Sequence, residues 1–494
     1  MLVAILCIPL GVGIAAALLP ARTGAWLSVL GSLVTLGLSI ALVVDFDTGV
    51  PGLQQVVDES WIPELGVRFQ LGIDGISLFL IVMTALLWAA TFAWSAWRMP
   101  DRPKNYFLML GVGEFAVLGA FLAQDLLLFV LFFDLMLVPF FFLIGSWGTG
   151  NRVQATIKMM VYTLVGSLLM LVAAIATAIL ASESTGEISF ALADLRANVL
   201  PEGSQEWIFC FFAAAFLVKM PSFPLHGWMP DAYRAAPLPV LALLSGVLPK
   251  VAAYGFLRVV FPIFPDATLQ FQDLVLVLAL ASVLYGSVMA FTQTDVRLIA
   301  GYSSIAQLGF ITLGIFSLSA DGANGSVLQM VNHGLVVAPI FFIIALLADR
   351  YGTEDLRQMG GAAMRAPVLA VLFLIVTLAT LAMPGSSNFI GEFYILNGLF
   401  DEKTAFAVIA TAGVVMAAFY ALRLYQKTMH NRLPKGVDSR EMTLRDGTVL
   451  VPLVLVIVAT ALYPTLILKR GEASVQDKLG AIATETTDEV AARP

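Results

Sequence analysis

A few residues that can hold or pass a proton stand in this chain where apolar residues dominate. Lys219 closes the run FFAAAFLVK and is followed by Pro221, Pro224 and Pro230. A lysine deep in an apolar helix costs about 2.5–3.5 kcal/mol on insertion scales. Prolines just beyond it break the helix and free carbonyls, and broken backbone at membrane depth is tolerated only against protein or water. Lys219 therefore reads as a protonatable group in a polar cavity inside a bilayer. The plainer alternative is a lysine snorkelling from a helix end. Lys250, Glu114, Asp134, Glu392 and His333 also lie within apolar runs. Groups of both signs near mid-membrane mark a proton or ion path by default. A lysine beside a carboxylate suits proton transfer, because desolvation weakens its hold on a proton and a nearby anion strengthens it. A unit pair at 4 Å and an effective dielectric of 20 interacts by about 4 kcal/mol, so opening the pair releases the proton. A static ion pair that orients helices is the competing reading.

The elements that must position these groups follow from composition. The chain has 494 residues, 59% hydrophobic and 12% charged, and no soluble domain has that balance. Fourteen apolar runs are long enough to span a bilayer: 1–19, 25–45, 74–97, 105–122, 125–145, 155–181, 206–220, 238–260, 273–291, 298–317, 326–348, 368–398, 404–429 and 448–468. The expected fold is an all-α polytopic membrane protein of about 14 transmembrane helices. Residues 1–19 lack a basic n-region and read as a first membrane helix, not a cleaved signal peptide. The odd-numbered connections carry 17 lysines and arginines, with Lys435 among them; the even-numbered ones carry only Arg68, Arg196, Arg258 and Lys403. The odd connections are therefore expected in the cytoplasm and both termini outside. The tail beyond 468 is polar, with no anchor or domain signal.

Two interrupted runs stand five spans apart. Lys219 lies in span seven beside Pro221; Glu392 lies in span twelve, seven residues past Pro384-Gly385. Spans 4–8 and 9–13 then form two five-helix units, inverted because five is odd. Paired broken helices in inverted halves point to a transporter site. The expected organisation is 1–100 for three N-terminal helices, 101–262 and 263–435 for the two repeats, and 436–494 for helix fourteen and the tail.

Other residues carry less. His226, in PSFPLHGW past the break, fits either a proton role or a plain hydrogen bond. His430 reads as a surface residue, and three scattered histidines make no metal site. Asp74, before Gly75, reads as a helix cap. Cys7 and Cys210 read as buried small hydrophobes. Gly111 and Gly113 read as a packing site. No phosphate loop or dinucleotide fingerprint is present, and a net charge of −7 argues against nucleic acid.

The stretches QDLLLFVLFFDLMLVPFFFLIGSWG (124–148), FLVKMPSFPLHGWMPDAYRAAP (216–237), GVLPKVAAYGFLR (246–258), TQTDVRLIAGYSSIAQLGF (292–310), LQMVNHGL (328–335) and MPGSSNFIGEF (383–393), with LGIDGISLFL (71–80), are a specific set. Together they resemble the antiporter-like subunits of proton-pumping NADH–quinone oxidoreductase (complex I), over residues 71 to 435. Glu392, where the L and N types and Mrp antiporter subunits usually have lysine, resembles the M type, as does the absence of a long lateral helix after span fourteen. The resemblance implies a module that moves protons through two half-channels. Lys219 would be the central lysine of the first, Asp134 its carboxylate partner, Lys250 the bridge, His333 a polar member of the axis, and Glu392 the terminal carboxylate of the second; Glu114, on the neighbouring span, either shares the role of Asp134 or is a face-lining carboxylate with only a packing or solvation role. It implies no redox cofactor on this chain, with FMN and iron–sulfur clusters on partner subunits. It further implies L- and N-type neighbours, a multi-pass place in the plasma membrane, and no nucleic-acid partner. Alternatives are a subunit of an Mrp-type cation/proton antiporter, a membrane subunit of an energy-converting hydrogenase, and a lone permease. Three departures stand out. Asp134 is one methylene shorter than the usual glutamate. Gln307 replaces a histidine and cannot titrate near neutral pH. APLPV (236–240) replaces a more polar stretch.

Overall fold

The computed structural model describes residues 1–50, 52–434, 436–437 and 440–492. Lys435, one of the basic residues of the last connection, lies outside the described residues. Each of the fourteen apolar runs falls on helix. The first six spans are α1 (Leu2–Leu18), α2 (Ala21–Asp45), α3 (Ser77–Trp97), α4 (Pro103–Leu122), the pair α5 (Leu126–Leu135) and α6 (Leu137–Trp147), and α7 (Arg152–Thr185). A short surface helix, α8 (Leu192–Ala197), precedes span seven, which is α9 (Glu202–Lys219), a break, and then α10 (Met229–Ala235). Span eight combines α11 (Leu238–Gly246), α12 (Leu248–Gly255), a π-turn over Phe256–Val260 and α13 (Phe261–Ile263). Spans nine to eleven are α14 (Pro265–Thr292), α15 (Val296–Phe316) and α16 (Ala320–Tyr351). Span twelve is α17 (Pro367–Thr380), a break, and the first part of α18 (Ser387–Met429); a kink at Lys403 turns α18 into span thirteen. Span fourteen is α19 (Leu444–Leu462), followed by α20 (Thr465–Ala492).

Local chemistry explains the interruptions. Pro139 lacks an N–H and cannot bond the carbonyl of Leu135, and α5 gives way to α6 there. Pro221 and Pro224 stop α9 at Lys219, and the freed Leu217 and Val218 carbonyls are taken up by Ser222 N at 3.1 Å and Trp228 Nε1 at 2.9 Å. In span twelve the helix ends at Thr380; within the break Ala382 has φ +53°, and Gly385, after Pro384, has φ +92°, a left-handed conformation that glycine adopts at little cost.

Eleven helical stretches among the described residues are long and apolar enough to cross a membrane. Three of them, Leu238–Ile263, α15 and α16, are wholly buried in their most apolar windows, whereas α2, α7, α14, α18 and α19 present most of theirs to the surroundings. The interior is thus three central spans wrapped by the rest, and those three carry Lys250, Gln307 and His333.

Two elements were not expected. The connection 46–73 holds an antiparallel hairpin, β1 (Gln54–Ile62) against β2 (Val67–Ile73), with Val57 opposite Leu71 and Glu59 opposite Phe69. The all-α expectation is refined to a predominantly helical chain with one hairpin: alternating polar and apolar residues favour a strand, but over 7–9 residues that signal is short. The tail beyond 468, expected to carry nothing, is helical. It packs closely: a Cβ on Gly75 would run into the carbonyl of Arg470, and Gly75 N donates to Ser474 Oγ at 2.9 Å.

Cys7 and Cys210 are exposed, which corrects their expected burial. In a membrane chain an apolar run does not imply the interior, because the outer surface also faces an apolar medium. Arg258, counted with an outer connection, is instead inside the π-turn and buried. It meets Asp74 Oδ2 at 3.0 Å, with side chains only 5% and 3% exposed. Asp74 Oδ1 accepts from Ile76 N and Ser77 N, so the capping role of Asp74 holds and a second one joins it.

Candidate functional site

Lys219 sits at the last helical residue of α9, nearly buried. Its Nζ donates to Phe133 O at 3.0 Å and lies 4.4 Å from the centre of the Phe133 ring. No ion pair joins it to Asp134 among the described residues. Asp134 is the penultimate residue of α5, with Oδ1 buried and no protein partner among the described residues. The expected Lys219–Asp134 pair is therefore open. The shorter aspartate stops short, and the lysine takes the backbone carbonyl one residue earlier. Glu114, on α4, is fully buried, and neither of its oxygens has a protein partner. Among the described residues no ion pair or hydrogen bond joins it to Lys219. Carboxyl oxygens left unpaired in this way need water.

His226 lies in the break after α9. Its ring packs on Tyr285 (centroids 4.8 Å apart) and Phe223 (5.9 Å), and Nδ1 is buried without a protein partner. His430 is exposed, as expected. Ala236 O, in the unexplained APLPV stretch, accepts from Arg297 at 2.5 Å, and Arg297 also pairs with Glu354 at 2.6 Å. That stretch thus ties span eight to span ten.

The second group forms a polar line in the buried centre, in two hydrogen-bonded segments that meet along one face of α16. Lys250 Nζ donates to Ser245 O at 2.8 Å and meets His333 Nδ1 at 2.8 Å. An ammonium has no acceptor, so Nδ1 accepts and the ring proton sits on Nε2 whenever Lys250 is charged. One turn before His333 on α16, Gln329 Nε2 donates to Gln307 Oε1 at 2.7 Å. Gln307 Nε2 in turn donates to Glu392 Oε1 at 2.8 Å. Glu392 lies on α18 just past the break. Gly391 permits this approach, since a Cβ there would strike Gln329 Oε1.

Sequence reasoning missed Gln329, Asn332 and Asn388. Asn332 Nδ2 donates to Ser387 O at 2.7 Å, across to the broken helix. The signal was present: Gln329, Asn332 and His333 lie at helical spacing in an otherwise apolar run. Around Glu392 the buried polar atoms Glu392 Oε2, Asn388 Oδ1 and Nδ2, Asn332 Oδ1 and Tyr420 Oη have no protein partner. Such a density of unpaired atoms calls for ordered water. Between the lysine end and the carboxylate end the groups can bind, relay and release protons. Among the described residues no cluster of three or more His, Cys, Asp or Glu is placed to hold a metal ion.

Both the sequence and the fold match known proteins. The family described as NADH:quinone oxidoreductase/Mrp antiporter, TM, matches residues 123–419. The NADH-quinone oxidoreductase subunit M of Rhodobacter capsulatus is 37% identical over 455 residues, covering 90% of this chain and 88% of that protein. The subunit M of Escherichia coli (strain K12) is 36% identical over 465 residues, covering 90% and 91%. A chain of respiratory complex I from Thermus thermophilus with bound NADH superposes with a TM-score of 0.89 at 30% identity, covering 98% of this chain and all of that one. A chain of the Mrp complex from a Dietzia species gives 0.84 at 21% identity, over 97% and 98% of the two chains, a likeness of fold alone.

Proposed function

Because the chain belongs to the NADH:quinone oxidoreductase/Mrp antiporter transmembrane family, as an M-type antiporter-like membrane subunit of a proton-translocating NADH–quinone oxidoreductase, we propose that it moves protons itself, along Lys219, Lys250, His333, Gln329, Gln307 and Glu392. The observation that carries this reading is the buried line from Lys250 to Glu392, in which His333 touches Lys250 and Gln307 bridges Gln329 to the carboxylate. Glutamine at 307 passes a proton only through hydrogen bonds and water, because it cannot titrate. Lys219 and Asp134 form a gate. Drawn together they stabilise the ammonium by about 4 kcal/mol at 4 Å; apart, as here, the lysine rests on a carbonyl.

Broken spans seven and twelve, five spans apart, support two inverted half-channels over 101–262 and 263–435. The basic odd-numbered connections support a multi-pass place in the plasma membrane with both termini outside. FMN, iron–sulfur clusters and the quinone site belong on partner subunits, with L- and N-type chains as membrane neighbours. The test uses the assembled complex. Tagged protein purified in mild detergent should bring down flavin and iron–sulfur absorbance, and Lys219→Ala should abolish proton pumping. Intact pumping in that variant refutes the lysine's role.

A further inference from the structure

The hydrogen bonds of Lys250 run to Ser245 O and His333 Nδ1, and neither residue lines the cavity at the face that carries the β-hairpin and α20. The eighth span offers a route there. Lys250, Tyr254 and Arg258 follow at intervals of four, so they share one helix face, each step about 6 Å along the axis. Tyr254 is fully buried, and its hydroxyl donates to Phe121 O at 3.3 Å beside the Gln124 side chain. Arg258 stands in the π-turn, a wide turn found often at functional positions.

Beyond it lies a cavity of about 290 Å³ lined by Asp74, Gln124, Arg196, Arg258, Asp477 and Lys478. Its floor is polar and under-satisfied. Arg258 Nε and Gln124 Oε1 are buried with no protein partner among the described residues, although Arg258 is only 6% and Gln124 only 1% exposed. Arg258 is otherwise held by Asp74, and Gln124 Nε2 by Gly72 O at 3.1 Å. At the mouth, Arg196 grips both Asp477 oxygens at 3.0 and 2.9 Å, and Lys478 Nζ meets Asp477 at 2.7 Å. A polar cavity of this size has room for several waters, each with partners to bond.

We propose that this cavity is a water-filled outer vestibule and that Tyr254 joins it to Lys250, giving the central axis a second opening on the hairpin face. The inference rests on the translocation reading above. The step balances: the Lys250 ammonium gives a proton to the water beside it, that water gives one of its own to the Tyr254 oxygen, and Tyr254 turns its hydroxyl proton from Phe121 O to vestibule water beside Gln124, leaving a neutral lysine amine, a neutral phenol and a hydronium that departs through the vestibule. Asp74 and Arg258 act as positioning residues that hold the vestibule open at its inner end.

Two measurements on the assembled complex in membrane vesicles test it, in a background with Cys7 and Cys210 replaced by alanine. In the first, a membrane-impermeant thiol reagent is applied from each side to Gln124→Cys and to Leu192→Cys, a second lining position. Ala120→Cys, one turn inward, is the dry control. Labelling of the two lining positions from the outer face alone supports the vestibule. Labelling of neither, or only from the cytoplasmic face, overturns it. In the second, protons moved per NADH oxidised are compared for Tyr254→Phe and the parent. A fall supports the relay, and an unchanged ratio overturns it. Should Lys219→Ala stop pumping while Tyr254→Phe does not, the vestibule relay fails and the translocation reading stands. Should neither affect pumping, the translocation reading fails.

Discussion

Replacing His333 by leucine tests the central line at its tightest point. Lys250 is fully buried, and its ammonium has two partners, Ser245 O and His333 Nδ1, both at 2.8 Å. Removing the imidazole deletes one charge-assisted hydrogen bond of about 1.5–3 kcal/mol and leaves the ammonium with one. If the proton must pass from Lys250 to this ring, the step slows by the same free energy. That is roughly 10- to 150-fold, since about 1.4 kcal/mol is tenfold in rate. A substitution to glutamine separates two roles, because its amide oxygen can accept from Lys250 but the side chain cannot take a proton near neutral pH. We expect His333→Leu to lose pumping. His333→Gln should keep it if water carries the proton past that position, and lose it if the imidazole itself titrates. The assay is proton uptake in inverted vesicles, with NADH oxidation measured in parallel and assembly checked by electron transfer to an artificial acceptor. Full pumping by His333→Leu at wild-type proton-to-electron ratio would refute the line as a proton path.

Asp134→Glu should bring its carboxylate within ion-pair reach of Lys219, shifting the lysine from the Phe133 carbonyl to a pair worth about 4 kcal/mol at 4 Å; a density map of the variant complex checks the contact, and slower pumping should accompany it. Gln307→Leu leaves Gln329 Nε2 and Glu392 Oε1 unpaired at about 1–3 kcal/mol each and should cut pumping, while Gln307→His, which both donates and accepts, should retain it. Asp74→Ala leaves Arg258 charged and buried and should lower the stability of the assembled complex by about 3–5 kcal/mol, with Arg258→Leu recovering part of it, as read by thermal inactivation. The Asp477 carboxyl has a depressed pKa: burial opposes this, but hydrogen bonds from Arg196 and Lys478 and their charges outweigh it. Its contribution is therefore present above the ordinary aspartate value near 4 and lost as pH falls through the lower folded value. The pair is one-third exposed and worth at most about 1 kcal/mol, so faster amide exchange over residues 470–480 should appear only below about pH 4 and vanish in Arg196→Gln.

The sequence by itself determined the class of fold and most of the charged groups. Length and apolarity of the runs set the spans, because a bilayer requires about twenty apolar residues and closed backbone hydrogen bonding. Prolines placed both breaks. Lys219, Lys250, His333 and Glu392 stood out because a titratable group in an apolar run has no cheap explanation. Only the tertiary structure decided which of them meet. Lys250 and His333 are 83 residues apart and touch, while Lys219 and Asp134, expected to pair, do not. Side-chain reach and the nearby carbonyl of Phe133 settle that contest, and neither is written in spacing. Gln329 and Asn332 look like ordinary polar residues until α16 is seen buried on all sides. Arg258 looks like the end of a span until Asp74, 184 residues away, closes on it. The fate of Cys7 and Cys210 shows the same limit from the other direction. Hydropathy distinguishes apolar from polar but, in a membrane, cannot distinguish the protein's interior from its outer face.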